Sequence, residues 1–96
     1  MKTDYQIIII DRLRDMRQER NLSQSQIATS LGISTGQMGN IETRKASHKY
    51  TLGQIYTLCN EFKVSIADIF LSNEERKLPM ERQINLLIEK IVQYEQ

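Results

Sequence analysis

The chain has 96 residues, 40% of them hydrophobic and 26% charged, with one proline and four glycines, which describes one ordinary globular domain with a modest core and excludes a disordered or fibrous protein. Its net charge is +1, so any nucleic-acid contact has to come from where the charges sit and not from their sum. One cysteine, Cys59, excludes an internal disulfide, the single histidine, His48, excludes a His/Cys zinc cluster, and the longest apolar run, Ile7 to Ile10, is far short of the roughly 20 residues that span a bilayer. The expected setting is the reducing cytosol, with no membrane anchor or signal peptide, no cofactor and no small-molecule ligand evident.

The first segment, about Asp4 to Arg20, carries Ile9, Leu13 and Met16 at helical spacing among Arg and Asp residues, and predicts an amphipathic helix. Four later segments open on a hydroxyl residue followed three positions on by an amide or acid: Ser23 with Gln26, Ser34 with Gln37, Thr51 with Gln54 and Ser65 with Asp68. Each is the pattern of a capping box, in which the hydroxyl accepts from a first-turn amide and the third residue reaches back to the cap's own N–H. The second helix, about Gln24 to Leu31, turns Ile27, Ala28 and Leu31 to one face and stops at Gly32, with Ile33 tucking back behind it. The third, about Thr35 to Thr43, turns Met38 and Ile41 inward and leaves Thr35, Gly36, Gln37, Gly39 and Asn40 outside. A fourth helix, about Leu52 to Phe62, is expected to bury Leu52, Ile55, Tyr56, Cys59 and Phe62; a fifth, about Ile66 to Leu71, to bury Ile66, Ile69 and Phe70. The stretch from Ser72 to Leu78 is polar and reads as a linker, and Pro79 opens a sixth helix whose stripe is Met80, Ile84, Leu87, Ile88 and Ile91. The division is residues 1–71 as the body, 72–78 as linker and 79–96 as an amphipathic helix suited to dimerisation.

Two short capped helices joined through Leu31-Gly32-Ile33-Ser34 form the tight turn that a helix-turn-helix requires, so that the second helix presents a polar face to a DNA major groove about 12 Å wide. Leu22-Ser23-Gln24-Ser25-Gln26-Ile27-Ala28 through Leu31-Gly32-Ile33-Ser34, then Met38 and Ile41-Glu42, resembles the phage-repressor and Cro (Xre-type) helix-turn-helix family of DNA-binding transcriptional regulators. The likeness extends from about Ile9 to Phe70 and includes the closing run from Thr51 to Phe70. It implies an all-α fold, a five-helix lambda-repressor-like DNA-binding domain with an additional C-terminal helix. It further implies that Thr35, Gly36 and Asn40, flanked by Gln37, read base edges, that Gln24 contacts a phosphate and buttresses the reading helix, and that Arg17 and Glu42 form a structural ion pair. Two departures stand out: Arg44 and Lys49 occupy places where many members have Gly and Pro, and two glycines lie inside the reading helix.

Basic residues cluster at Arg12, Arg14, Arg17 and Arg20 and again at Arg44, Lys45, His48 and Lys49, while Glu74, Glu75, Glu81, Glu89 and Glu95 make the last quarter more acidic. That distribution suits a body facing double-stranded DNA, with Arg44, Lys45, His48 and Lys49 as phosphate contacts. The leading expectation is a homodimeric regulator, a repressor or activator on a palindromic operator. The competing one is a protein-interaction module, such as an antitoxin, whose C-terminal helix binds a second protein. An enzyme is disfavoured: no phosphate loop, nucleophile elbow or metal motif is present, and Cys59 and His48 lack partners for chemistry.

Overall fold

The computed structural model describes residues 1–96 and contains six α-helices: α1 (Asp4–Glu19), α2 (Gln24–Leu31), α3 (Thr35–Glu42), α4 (Leu52–Phe62), α5 (Ile66–Phe70) and α6 (Met80–Glu95), with a 3-10 turn at Glu75–Lys77 inside the connection to α6. No strand forms, and no helix is long and apolar enough to cross a membrane.

Local chemistry starts the helices. All four expected capping boxes close in both directions, and a fifth joins Thr3 and Gln6 at the head of α1. Gly32 ends α2 at φ +69°, in the left-handed region that glycine enters without strain, and the Ile33 N–H returns to the Ala28 carbonyl at 3.0 Å. Lys63 ends α4 in the same left-handed conformation at φ +58°, without glycine's advantage.

Sixteen side chains form one core, drawn from α1 (Tyr5, Ile9, Ile10, Leu13), the helix-turn-helix pair (Ile27, Ala28, Met38, Ile41), Tyr50, α4, α5 and, from α6, Tyr94. Within α4 the expected inward face is rotated. Leu52 and Tyr56 are exposed, and Leu58 is buried beside Ile55, Cys59 and Phe62, because the body lies against the 55–58–59–62 row. Ile66 is only half-buried. Burial, with the Asp68 carboxylate nearby, pushes the Cys59 thiol up, so it is packed as a small hydrophobe.

Three of the four early arginines serve the scaffold. Arg12 donates to the Ile69 carbonyl at 2.8 Å, at the end of α5; Arg20 donates to the Phe62 carbonyl at 3.0 Å, at the end of α4; Arg17 turns inward. Arg12 and Arg20 are thus donors for helix-end carbonyls that lack intrahelical partners, while Arg14 stays partly exposed and pairs with Asp11 at 3.2 Å.

The last helix is fastened to the same core. Tyr94 is fully buried, its ring edge-on to Phe70 with centroids 5.7 Å apart, and its hydroxyl donates to the Tyr50 carbonyl at 2.8 Å. Its own carbonyl accepts from Gln6 Nε2 at 2.7 Å and Lys49 Nζ at 3.1 Å. Leu87 and Ile91 also turn toward this chain's core, which leaves Met80, Ile84, Ile88 and, beyond the expected set, Val92 as the outward apolar stripe. Tyr94→Phe, which strands the buried Tyr50 carbonyl, is expected to lower the unfolding free energy by about 1 to 3 kcal/mol, and Tyr94→Ala by about 3 to 5 kcal/mol, both read from urea denaturation of the full chain.

Candidate nucleic-acid interface

α3 lies against α2 and α1 with Met38, Ile41 and Glu42 buried, and it exposes Thr35, Gly36, Gln37 and Asn40. The helix is only eight residues long, too short to persist by itself, so its position comes from what grips its inner side. The chief grip is a buried fork. Arg17 donates from Nε to Glu42 Oε2 at 2.9 Å and from Nη2 to Glu42 Oε1 at 2.8 Å, while its Nη1 reaches the Leu22 carbonyl at 2.7 Å. Gln24 Nε2 adds a bond to the same Oε1 at 2.9 Å, so one carboxylate ties α1, α2 and α3 together.

Both ends of α3 are held as well. Ser34 Oγ accepts from the Gln37 N–H at 3.0 Å and Gln37 Oε1 accepts from the Ser34 N–H at 2.9 Å. At the other end Thr43 is extended and no glycine closes the helix; the Lys2 ammonium does so, donating to the carbonyls of Asn40 at 3.2 Å, Ala46 at 2.8 Å, and Thr43. Lys2 is almost wholly buried without a carboxylate partner, and desolvation lowers its pKa. The sequence contained no local signal for this role, since the carbonyls lie about forty positions away.

The predicted site residues divide accordingly. Thr35, Gly36 and Asn40 share the open face of α3, with Gln37 beside them, although the Gln37 oxygen is committed to the cap and only its amide nitrogen remains to donate outward. Gln24 is turned to Glu42. In the basic loop Lys45 and His48 are exposed, and Arg44 is exposed while pairing with Asp11 at 2.9 Å. Lys49 is directed elsewhere, its ammonium on the Tyr94 carbonyl and 5.2 Å from the centre of that ring, so it fastens the loop to α6. The five stripe residues of α6 do not form one surface, as described above.

The glycines inside α3 are not demanded by the fold. A Cβ on Gly36 would meet nothing closer than Ser34 Oγ at 3.8 Å, and one on Gly39 nothing closer than Gln24 Oε1 at 3.8 Å, both ordinary contacts.

A short polar helix, braced from behind and projected by a glycine turn, defines a helix-turn-helix DNA-binding domain. Residues 12–74 match the model of the Cro/C1-type HTH DNA-binding domain, and the chain belongs to that family. No curated protein and no solved structure matches it.

Truncating Glu42→Ala leaves the Arg17 guanidinium buried and unpaired, and is expected to cost about 3 to 5 kcal/mol of stability by denaturant titration. Replacing both partners together, Arg17→Met with Glu42→Leu, is expected to recover most of that loss.

Proposed function

We propose that the chain is a homodimeric transcriptional regulator, a repressor that reads a palindromic operator in double-stranded DNA with α3 of each copy. The observation that supports this reading most is the open face of α3, whose small and polar side chains are exposed while Met38, Ile41 and Glu42 on its inner side are buried. Asn40 offers the amide geometry that pairs with adenine N6 and N7, and the Thr35 methyl suits a thymine methyl. Gln37 contributes its amide nitrogen. Gly36 and Gly39 leave room for close approach of the duplex: glycine costs a helix interior about 1 kcal/mol relative to alanine, and nothing within the protein needs the space. Arg44, Lys45 and His48 serve as phosphate contacts beside the reading helix, while Gln24 and Lys49 act by holding α3 and the loop in place. Repression of this kind is steric and performs no chemistry, in the cytosol.

Residues 1–71 supply the DNA-binding body, residues 72–78 the connection, and residues 79–96 the dimer helix. The second copy covers Met80, Ile84, Ile88 and Val92. These recur every fourth residue and form a ridge; two such ridges interlock with helices crossing at about −50°. Dimer symmetry then places the two reading helices about one DNA turn apart.

Asn40→Ala is expected to relax preference at one or two base positions at a cost of about 1 to 3 kcal/mol, whereas Lys45→Ala weakens all duplexes alike and lowers the salt slope by about one, both measured by salt-titrated selection on random duplexes. Equal losses for both variants on every sequence would remove the assigned roles. Gly36→Ala is expected to raise the stability of the free protein by up to about 1 kcal/mol and yet weaken binding; stabilisation with unchanged affinity would show that the duplex does not approach there. Ile84→Glu with Ile88→Glu is expected to yield a folded monomer in sedimentation, with operator affinity lost. A variant that stays dimeric places the self-contact elsewhere, and a monomer that keeps its affinity assigns the stripe to a different protein.

A further inference from the structure

The largest groove of the molecule lies away from α3, between the second half of α1, the start of α5 and the connection leading to α6. It is a shallow depression open to solvent, with a volume of about 640 Å³, within the range of small-ligand sites. Its apolar floor is Met16, Val64 and Leu71, and three guanidinium groups, those of Arg12, Arg20 and Arg76, line it. We propose that this groove binds a small organic anion, a carboxylate or phosphate ester carrying an apolar body.

The argument rests on how the arginines are held. Arg12 donates from Nη1 to the Ile69 carbonyl at 2.8 Å. Arg20 donates from Nη1 to the Met16 carbonyl and from Nη2 to the Phe62 carbonyl, both at 3.0 Å, with its Cζ 4.9 Å from the centre of the Phe62 ring. Neutral carbonyls and a ring face orient these groups; the Glu75 carboxylate acts on Arg12 from a distance but is held by the Ser72 N–H and shared with Lys90. Neither guanidinium is paired with a carboxylate, and each keeps N–H donors beyond those engaged. The ordering cost that normally weakens an arginine–anion contact is thereby met in the free protein. Arg76 is the third cation; it pairs with Asp68 at 2.8 Å and is partly exposed, so an incoming anion shares it. Glu19 also borders the groove, which keeps its net charge at one positive and favours a singly or doubly charged ligand over a polyanion. The floor selects further. Met16 and Val64 are half-buried over the buried Leu71, and their remaining surface rewards an aliphatic or aromatic body and gives nothing to an inorganic ion. None of these residues belongs to the DNA-facing set, so the inference stands whether or not the operator reading does.

The test is a titration of the full-length, nitrogen-15-labelled chain with phenyl phosphate and with benzoate, against inorganic phosphate and benzyl alcohol as partial probes. Saturable shifts are expected at the Nε–H of Arg12 and Arg20 and the amides of Val64 and Leu71 with the first two probes, weaker shifts with inorganic phosphate and none with the alcohol. Arg20→Gln is expected to weaken binding severalfold. Because that change also removes a helix cap, Asn73→Asp provides the independent check: it places a carboxylate at an exposed position of the groove and is expected to weaken both anions while leaving thermal unfolding unchanged. Shifts that fail to saturate, that ignore Asn73→Asp, or that the alcohol reproduces would overturn the proposal. So would displacement of the same resonances by duplex DNA, which would place the groove within the DNA footprint.

Discussion

Arg17 and Glu42 meet beneath α3 as a two-pronged fork, and the orientation of the exposed polar face of that helix depends on the contact. α3 is short, carries two glycines, and offers only Met38 and Ile41 as apolar anchors. Two apolar side chains define a depth of packing more readily than a rotation about the helix axis. The fork supplies the missing constraint because a guanidinium bonded through Nε and Nη2 to both carboxylate oxygens has one geometry, and the Leu22 carbonyl and Gln24 amide satisfy the positions around it. Buried ion pairs gain little net stability over a well-packed apolar pair; what this one contributes is orientation.

The same economy governs the other cations. Lys2 closes α3, Arg20 closes α4, Arg12 closes α5 and Lys49 closes α6, each by donating to carbonyls in the last turn or just beyond it. Positive charge at a helix C-terminus complements the backbone dipole as well as satisfying the orphan acceptor. Much of the basic charge in a protein of net charge +1 is therefore committed to helix ends, and the basic side chains left exposed beside α3 are few: Lys45 and His48, with Arg44 shared with Asp11.

What could be read from the sequence follows the range of the interaction. Capping boxes and the Gly32 turn are local, spanning three or four residues, and their chemistry leaves a mark at fixed spacing; the helices and the exposed face of α3 were legible for that reason. The box joining Thr3 and Gln6 carries the same mark and was equally available. The inner face of α4 was less so, because Leu52 and Tyr56 are apolar enough to fit a core face, and only the direction from which the body approaches decides that Leu58 is inside and Tyr56 outside. Lys2 and Lys49 could not be read at all. Their carbonyl partners lie 38 to 45 positions away, and a lysine that ties down a loop looks in sequence like a lysine that meets a phosphate.

The sixth helix carries more apolar surface than one neighbour can cover. An amphipathic helix needs an apolar stripe little wider than a quarter of its circumference to lie on a body. Leu87, Ile91 and Tyr94 meet that need, and Met80, Ile84, Ile88 and Val92 extend the apolar surface around the adjacent side into solvent. Because the covered side is locked by Tyr94 to Gln6, Lys49 and Tyr50, the uncovered side is rigidly referred to the loop that follows α3. In the proposed dimer, then, the distance between the two reading helices is set by how one ridge crosses the other and not by a flexible linker. The polar connection at 72–78 gives the chain its path to α6, whereas in that proposed dimer the docking of Tyr94 would determine where the axis falls.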